Sequence, residues 1–291
     1  MSIDDKNYTA NPTPAVLYVV ATPIGNLDDI SRRAIDVLRS VDVIAAEDTR
    51  HSQKLLSHHG VSTQLFACHE HNEETAADKL MTRLLGGSSV ALISDAGTPL
   101  ISDPGYRVVT LAHQNGIRVV PVPGASAAIA ALCVSGLATD RFVFEGFLPA
   151  KQQARRAALQ RFSHQAASII LYESCHRIVD CLRDMRDVLG ADRKLCFARE
   201  LTKTFETVRT LSIGECLDWV EQDPDQRRGE IVLVLEGVEE KPEDELELIR
   251  MMEVMLQELP LKQAAALAAK LSGRSRNECY QAGLGIKNGD D

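Results

Sequence analysis

The sequence predicts an α/β protein of two domains, one built on a parallel sheet and one on a mixed sheet, followed by a small helical appendage. Three patterns lead there. Short apolar runs alternate with amphipathic helical stretches through the first half, the signature of strands joined by crossover helices. In the second half, extended segments follow one another with no helix between them, which a purely parallel sheet does not allow. The last fifty or so residues hold helical patterns only. These features divide the chain into a leader at 1–14, an α/β domain at 15–146, a second α/β domain at 147–238, and a linker with helical appendage at 239–291.

The first strand is Val16–Ala21, and a helix follows over Asp28–Val41, with Ile30, Ala34, Val37, Leu38 and Val41 on one stripe. Val43–Ala46 is a strand that runs into Glu47–Asp48–Thr49–Arg50–His51, before a short helix at Gln53–His59. Leu65–Ala67 leads into His69–Glu70–His71–Asn72, and Asn72 is suited to cap a helix that ends near Leu85. Val90–Ile93 and Val119–Val122 are the fourth and fifth strands, each followed by a helix. Phe142–Phe147 is the hand-over to the second domain. Helix (Gln152–Phe162), strand (Ser168–Tyr172), helix (His176–Leu189) and strand (Leu195–Arg199) then alternate. An extended stretch at Phe205–Ile213, a short helix and the strand Ile231–Leu235 complete that domain. In the appendage, Glu245–Glu258, Leu261–Leu271 and Asn277–Leu284 are helical about a turn at Ser272–Ser275. The last two have the outline of a helix-turn-helix, and equally that of a docking hairpin.

Composition narrows the class. No run of about 18 apolar residues is present, so no membrane-spanning helix is expected. The seven cysteines are an odd, scattered set without a C-x-x-C pair, which fits free thiols in a reducing cytoplasm. A net charge of −9 argues against coating nucleic acid by bulk attraction. Basic residues are nevertheless clustered: four with no acid between Lys151 and Arg161, and five against Glu278 alone between Leu261 and Lys287. Lys151, Arg155, Arg156, Arg161, Arg274 and Arg276 are therefore the candidate phosphate contacts, with a solvated helix face as the alternative for the first four.

The densest punctuation is Ser94–Asp95–Ala96–Gly97–Thr98–Pro99–Leu100–Ile101–Ser102–Asp103–Pro104–Gly105, after the fourth strand. In open α/β sheets, ligands bind on loops at the carboxyl ends of strands. Familiar phosphate-binding and nucleophilic motifs are missing. The first turn, Ala21–Thr22–Pro23–Ile24–Gly25–Asn26, lacks G-x-G-x-x-G; no Walker A sequence occurs. The turn around Ser126 resembles a nucleophile elbow but lacks its closing glycine. The histidines at 58, 59, 69 and 71 do not complete a ligand set, so no metal is expected. What remains is a site of small residues and bare backbone, suited to positioning an activated group donor.

Five motifs, in order, carry a resemblance: Ala21–Thr22–Pro23–Ile24–Gly25–Asn26–Leu27, Glu47–Asp48–Thr49–Arg50, Ser94–Asp95–Ala96–Gly97–Thr98–Pro99, Pro121–Val122–Pro123–Gly124–Ala125–Ser126 and Arg199–Glu200–Leu201–Thr202–Lys203. Together they resemble the tetrapyrrole-methylase (class III) family over roughly Val16 to Gly237. Within it, they are similar to the bacterial branch that methylates the ribose 2′-hydroxyl of a decoding-centre cytidine in small-subunit ribosomal RNA. The resemblance implies S-adenosylmethionine as donor, a cleft between two α/β domains, a homodimer, and ribosomal RNA within the small subunit as partner. By the same resemblance, Pro23, Asp95, Ala96, Gly97, Thr98, Ser126, Ala127, Tyr172, Glu200, Leu201 and Gly229 match donor-binding positions. Thr98 stands where a family carboxylate contact is lost, and Asp95 is the candidate to replace it.

A ribose hydroxyl is a weak nucleophile, so a positioned base is expected to contribute about 10²–10⁴-fold. Glu47 and Asp48 are the candidates because they directly follow a buried strand; Glu173 and His71 are further titratable groups at loop ends. The alternative for Asp48 is pairing with Arg50 to fix its loop. Arg50 and His71 are candidate RNA contacts beside the basic clusters. Two other functions fit the same fold: methylation of a corrin-type macrocycle carbon, and a non-catalytic ribosome-binding factor. The basic appendage and Glu47–Arg50 speak against the macrocycle.

Overall fold

A computed structural model describes residues 15–69, 72–238 and 243–288. The expected leader, His71 and part of the charged linker lie outside them. The chain forms two compact units, one ending at Gly237 and one beginning at Val238.

The first unit holds two five-stranded sheets. β1 (Val16–Val20), β2 (Val43–Ala46), β3 (Leu65–Ala67), β4 (Val90–Ile93) and β5 (Arg118–Val122) run parallel in the order β3-β2-β4-β1-β5. β2 and β4 are buried along their whole length, as strands covered on both faces must be. α1 (Arg32–Ser40) and α2 (Thr49–His58) cover one face, joining Ala34, Val37, Leu38 and Leu56 to Val20 and Ile44. α3 (Glu73–Leu85) and α4 (Tyr106–Gln114) cover the other, joining Leu80, Val108 and Ala112 to Leu17 and Leu92.

β6 (Phe142–Phe147), β7 (Ser168–Ser174), β8 (Lys194–Arg199), β9 (Thr207–Ser212) and β10 (Glu230–Leu235) form the mixed sheet, ordered β6-β7-β10-β8-β9. Only β6 and β7 pair in parallel; the other neighbours are antiparallel. Phe142–Phe147, expected as a hand-over, is thus the edge strand of the second sheet. Side chains alternate along these strands. Ile169, Leu171, Phe197 and Leu233 pack on α6 (Gln152–Gln160), α7 (Ile178–Leu189) and α8 (Ile213–Gln222). Ile170, Cys196, Ala198 and Val232 face α5 (Ala127–Val134), which follows the first sheet. A helix that follows the first sheet in sequence thus covers the second.

Two expected helices have different bounds, for reasons visible in their caps. The helix expected from Asp28 is broken: Leu27–Asp29 is a 3-10 turn, and α1 starts only after Ser31, whose hydroxyl accepts the Ala34 amide at 3.1 Å. The helix expected from Gln53 begins at Thr49, because the Asp48 carboxylate accepts the amides of Arg50 and His51.

The second unit contains α9 (Glu243–Glu258), α10 (Leu261–Ser272) and α11 (Arg276–Asn288) around Leu248, Met252, Ala264, Ala268 and Cys279. Gly273 ends α10 in the left-handed conformation. Ser275 opens α11 by accepting the Glu278 amide while its own amide donates to the Glu278 carboxylate. Among the described residues, no helix is long and apolar enough to cross a membrane, and no cysteine is paired.

Arg155 is corrected by the fold. Instead of facing solvent as a phosphate contact, its side chain is 5% exposed and bonds the fully buried Asp184 at 2.6 and 2.7 Å. Arg156 binds both Asp184 and Asp187, each within 2.7 Å, so its charge is also largely spent. Burial alone would raise the Asp184 pKa, but hydrogen bonds from Arg156, Arg155 and Gln152 outweigh it and hold the carboxyl below its ordinary value. Its stabilising contribution is present above the unfolded-state pKa of about 4 and lost as pH falls through the lower folded value. Asp184→Ala strands Arg155 without a counter-charge and should cost roughly 3–5 kcal/mol at pH 7, read as a shift in urea midpoint.

Candidate functional site

β1 and β4 are neighbours, yet the helices that follow them, α1 and α4, pack on opposite faces of the sheet. Their loops separate at this point and leave a crevice, as at the switch points of other open α/β sheets. Here the loops are tied at their bases. Thr22 and Gly97 exchange two backbone hydrogen bonds, at 2.8 and 3.1 Å. The Thr22 hydroxyl donates to the Ser94 carbonyl at 3.1 Å. Thr98 extends the tie to the loop after β5, donating to the Ala125 carbonyl at 3.0 Å. Gly97 has φ +84°, and a Cβ there would meet Ile24 Cγ2 at 3.2 Å. Both conformation and space call for glycine.

Against this frame lies a cleft of ≈ 380 Å³, within the range of about 300–1,000 Å³ usual for small-molecule sites. The first domain contributes Ile24, Ala96, Gly97, Thr98, Ser126 and Ala127. The second contributes Tyr172, Glu173, Ala198, Leu201, Gly229 and Val232. The Tyr172 ring sits edge-on to Phe144 and Phe147, at 5.0 and 5.6 Å between centroids. Burial pushes its hydroxyl pKa up, against a hydrogen bond with the Ala128 backbone.

Three acidic residues line the cleft: Asp103, Glu173 and Glu230. Burial raises the Asp103 pKa; the Ser94 hydroxyl opposes that shift and the nearby charge of Asp95 adds to it. Glu173 is 3% exposed. Its Oε1 accepts the Ser174 amide at 2.8 Å, with Arg177 Nε at 3.4 Å, and the carboxylate lies on the α7 side of the sheet, where it adds to burial in raising the pKa of the Cys181 thiol.

The loop after β8 is held in strain. Glu200 and Thr202 have φ +51° and +66°, and Leu100 in the loop after β4 has +72°. Such non-glycine conformations cost roughly 1–3 kcal/mol each. Arg199 braces the strained turn from beneath, donating to Gln226 Oε1, Thr207 Oγ1 and the carbonyls of Phe205 and Arg228. Glu200 accepts Lys203 Nζ at 2.8 Å and the Glu230 amide at 3.0 Å. A Cβ on Gly229 would collide with that carboxylate.

Of the expected donor-binding residues, Ala96, Gly97, Thr98, Ser126, Ala127, Tyr172, Leu201 and Gly229 line this cleft. Pro23 and Asp95 line a second cavity, and Glu200 lines neither. Glu47 is half-buried at the end of β2, and Asp48 caps α2 with its pKa held down by the amides of Arg50 and His51. Arg50, Lys151 and Arg276 are exposed, and Arg274 is half-exposed. Asp103 and the β10 residues Ile231 and Val232 were not singled out as site residues. Asp103 lay in the punctuated loop, but β10 reaches the cleft only through its register with β7 and β8, which no local pattern announces.

The profile of the tetrapyrrole (corrin/porphyrin) methylases matches residues 16–217. The chain belongs to that family. A second profile, the RsmI C-terminal HTH domain, matches residues 242–287 of this methylase. It is 55% identical over 272 residues to Ribosomal RNA small subunit methyltransferase I of Pseudomonas aeruginosa, covering 92% of this chain and 96% of that one. To the protein of the same name from Escherichia coli O157:H7 it is 49% identical, covering 96% and 98%. Among solved structures, a uroporphyrin-III-C-methyltransferase from Thermus thermophilus aligns with a TM-score of 0.54 at 18% identity, covering 76% and 94%. A diphthine synthase aligns at 0.56 and 16%, covering 76% and 89%. At such identities these two structures speak to the fold.

At neutral pH the half-buried Asp103 carboxylate weakens the methylase fold, because its pKa is raised in the folded state. Asp103→Asn should therefore raise stability at pH 7. The gain should vanish below about pH 4, where the carboxyl is protonated both folded and unfolded. Denaturant titrations of both proteins at pH 7 and 3.5 check this.

Proposed function

We propose that this methylase transfers a methyl group from S-adenosylmethionine to the ribose 2′-hydroxyl of a decoding-centre cytidine in small-subunit ribosomal RNA. The observation that carries the reading is near-full-length identity of about half to relatives named for methylation of that RNA, appendage included. The cleft fits the donor's mixed chemistry. Ile24, Leu201 and Val232 give apolar walls, and Gly97 leaves main chain accessible. Bound there, S-adenosylmethionine supplies a methyl on a cationic sulfur, which joins the acceptor oxygen as the C–S bond breaks and the hydroxyl proton leaves. Ala96–Thr98 and Ser126–Ala127 would hold that donor on one side, and Tyr172 and Leu201 on the other.

Asp48 is a poor proton acceptor, since two backbone amides already occupy its carboxylate, and Glu47, half-buried at the end of β2, is the other candidate for the base. Arg50, Lys151, Arg274 and Arg276 are the basic residues left to meet RNA phosphates. Assembly as a homodimer in the cytoplasm is part of the same proposal. Its support is α5, apolar along its length, with Ile129 and Val134 about half exposed at 45% and 54%.

Incubation with methyl-labelled S-adenosylmethionine and small ribosomal subunits tests the reaction. Label on a cytidine ribose is expected; donor binding with no label in RNA would favour the macrocycle or non-catalytic alternatives. Gly97→Val should cost about 1–3 kcal/mol of stability through its φ and abolish donor binding by calorimetry in protein that remains folded. Arg274→Glu with Arg276→Glu should lower methylation by about tenfold or more while leaving donor affinity intact, because each lost phosphate contact also reverses a charge.

A further inference from the structure

Methyl transfer between two molecules needs two adjoining sites, and the loops that wall the donor cleft also wall a second cavity, of ≈ 370 Å³. In the loop after β1, Ile24 lines the cleft while Pro23 and Gly25 line the second cavity. In the loop after β4, Ala96–Thr98 line the first, and Ser94 and Asp95 the second. After β8, Leu201 and Lys203 divide in the same way. The Thr22–Gly97 bridge thus stands in the partition between the two spaces.

The remaining wall is Leu27 and one side of α2: His51, Ser52, Lys54 and Leu55. Ser52 is 2% exposed, and its hydroxyl has no hydrogen-bond partner among the described residues. A buried hydroxyl left unpaired is unfavourable, and beside a cavity it points to a ligand atom that completes it. The cavity is not uniformly cationic. Lys203 is shared by Glu200 and Glu230, at 2.8 Å each, and Asp95 accepts the Asp48 amide at 3.0 Å. Positive charge is present on Lys54, which lines the cavity and is exposed, and on the exposed Arg50 one turn before it on the same helix. Pro23, Leu27 and Leu55 supply flat apolar surface. Apolar walls, a few inner polar groups and cations at the mouth match a nucleotide better than a bare anion.

We propose that this cavity receives one ribonucleotide of the acceptor strand, its base against Pro23, Leu27 and Leu55 with an edge on Ser52, and its phosphates toward Lys54 and Arg50. This inference rests on the methyl-transfer reading above. A stacked base cannot enter such a space, so the nucleotide arrives from a single strand or is extruded from its neighbours.

Full-length Ser52→Ala and Lys54→Glu test it, with methylation of small ribosomal subunits followed by label and donor affinity by calorimetry. Lys54→Glu should raise the KM for subunits by about tenfold, through reversed charge at a phosphate contact. Ser52→Ala should lower kcat/KM by about threefold or more, yet be as stable as wild type or more so, since an unsatisfied hydroxyl is removed. Donor affinity should be unchanged in both. Wild-type kcat and KM in both variants, or weakened donor binding in either, would overturn the assignment. A wild type that transfers no label sinks the methyl-transfer reading instead. Binding of a fluorescent cytidine-rich single-stranded oligoribonucleotide then tests the cavity without turnover: weaker binding by Lys54→Glu supports it, and equal binding removes it.

Discussion

Two backbone hydrogen bonds between Thr22 and Gly97 hold together the surface on which everything else depends. They join loops leaving adjacent strands whose following helices go to opposite faces of the sheet. Untied, those loops would diverge and expose main-chain groups to water. Tied, and joined through Thr98 to the loop after β5, they become a rigid shelf at the ends of three adjacent strands. Main-chain groups held this way are preorganised, and a positioning enzyme gains most of its rate from such placement.

The same region concentrates the molecule's local costs. Leu100, Glu200 and Thr202 adopt left-handed backbone, Asp103 is a carboxylate with its pKa raised by burial, and Ser52 carries a buried hydroxyl without a partner among the described residues. None of these helps a chain to fold. They are tolerated because each sheet is covered on both faces and because Arg199 and Thr22 brace the strained loops from beneath. Strain at Leu100, Glu200 and Thr202, all in loops at the carboxyl ends of strands, marks where function was favoured over stability.

Much of this was legible in the sequence. The strands of the first sheet announced themselves as short apolar runs between helical patterns, and the punctuated loop after β4 pointed at the cleft before any contact was known. Local signals failed where distant residues decide. Arg155 reads as one of four cations in a basic run, and only the packing of α6 on α7 delivers it to Asp184. Pro23 and Ile24 are consecutive, yet they serve different cavities, a distinction that follows from how the loop crosses Gly97. The cap at Asp48 was readable in principle, since an aspartate before a helical run is a standard N-terminal signal. The apolar pattern that marks the helix begins only at Gln53, four residues past the true start at Thr49, which separates Asp48 from it in the sequence.

The central claim is that the bridged loops separate a donor site from an acceptor site. The most direct measurement is a crystal structure of the full chain with S-adenosylmethionine bound. The account predicts electron density for the donor against Gly97–Thr98, Ser126 and Leu201, with the cavity beside Pro23, Ser52 and Leu55 left open. Density for the donor inside that second cavity, or at a place touching neither loop, would contradict it.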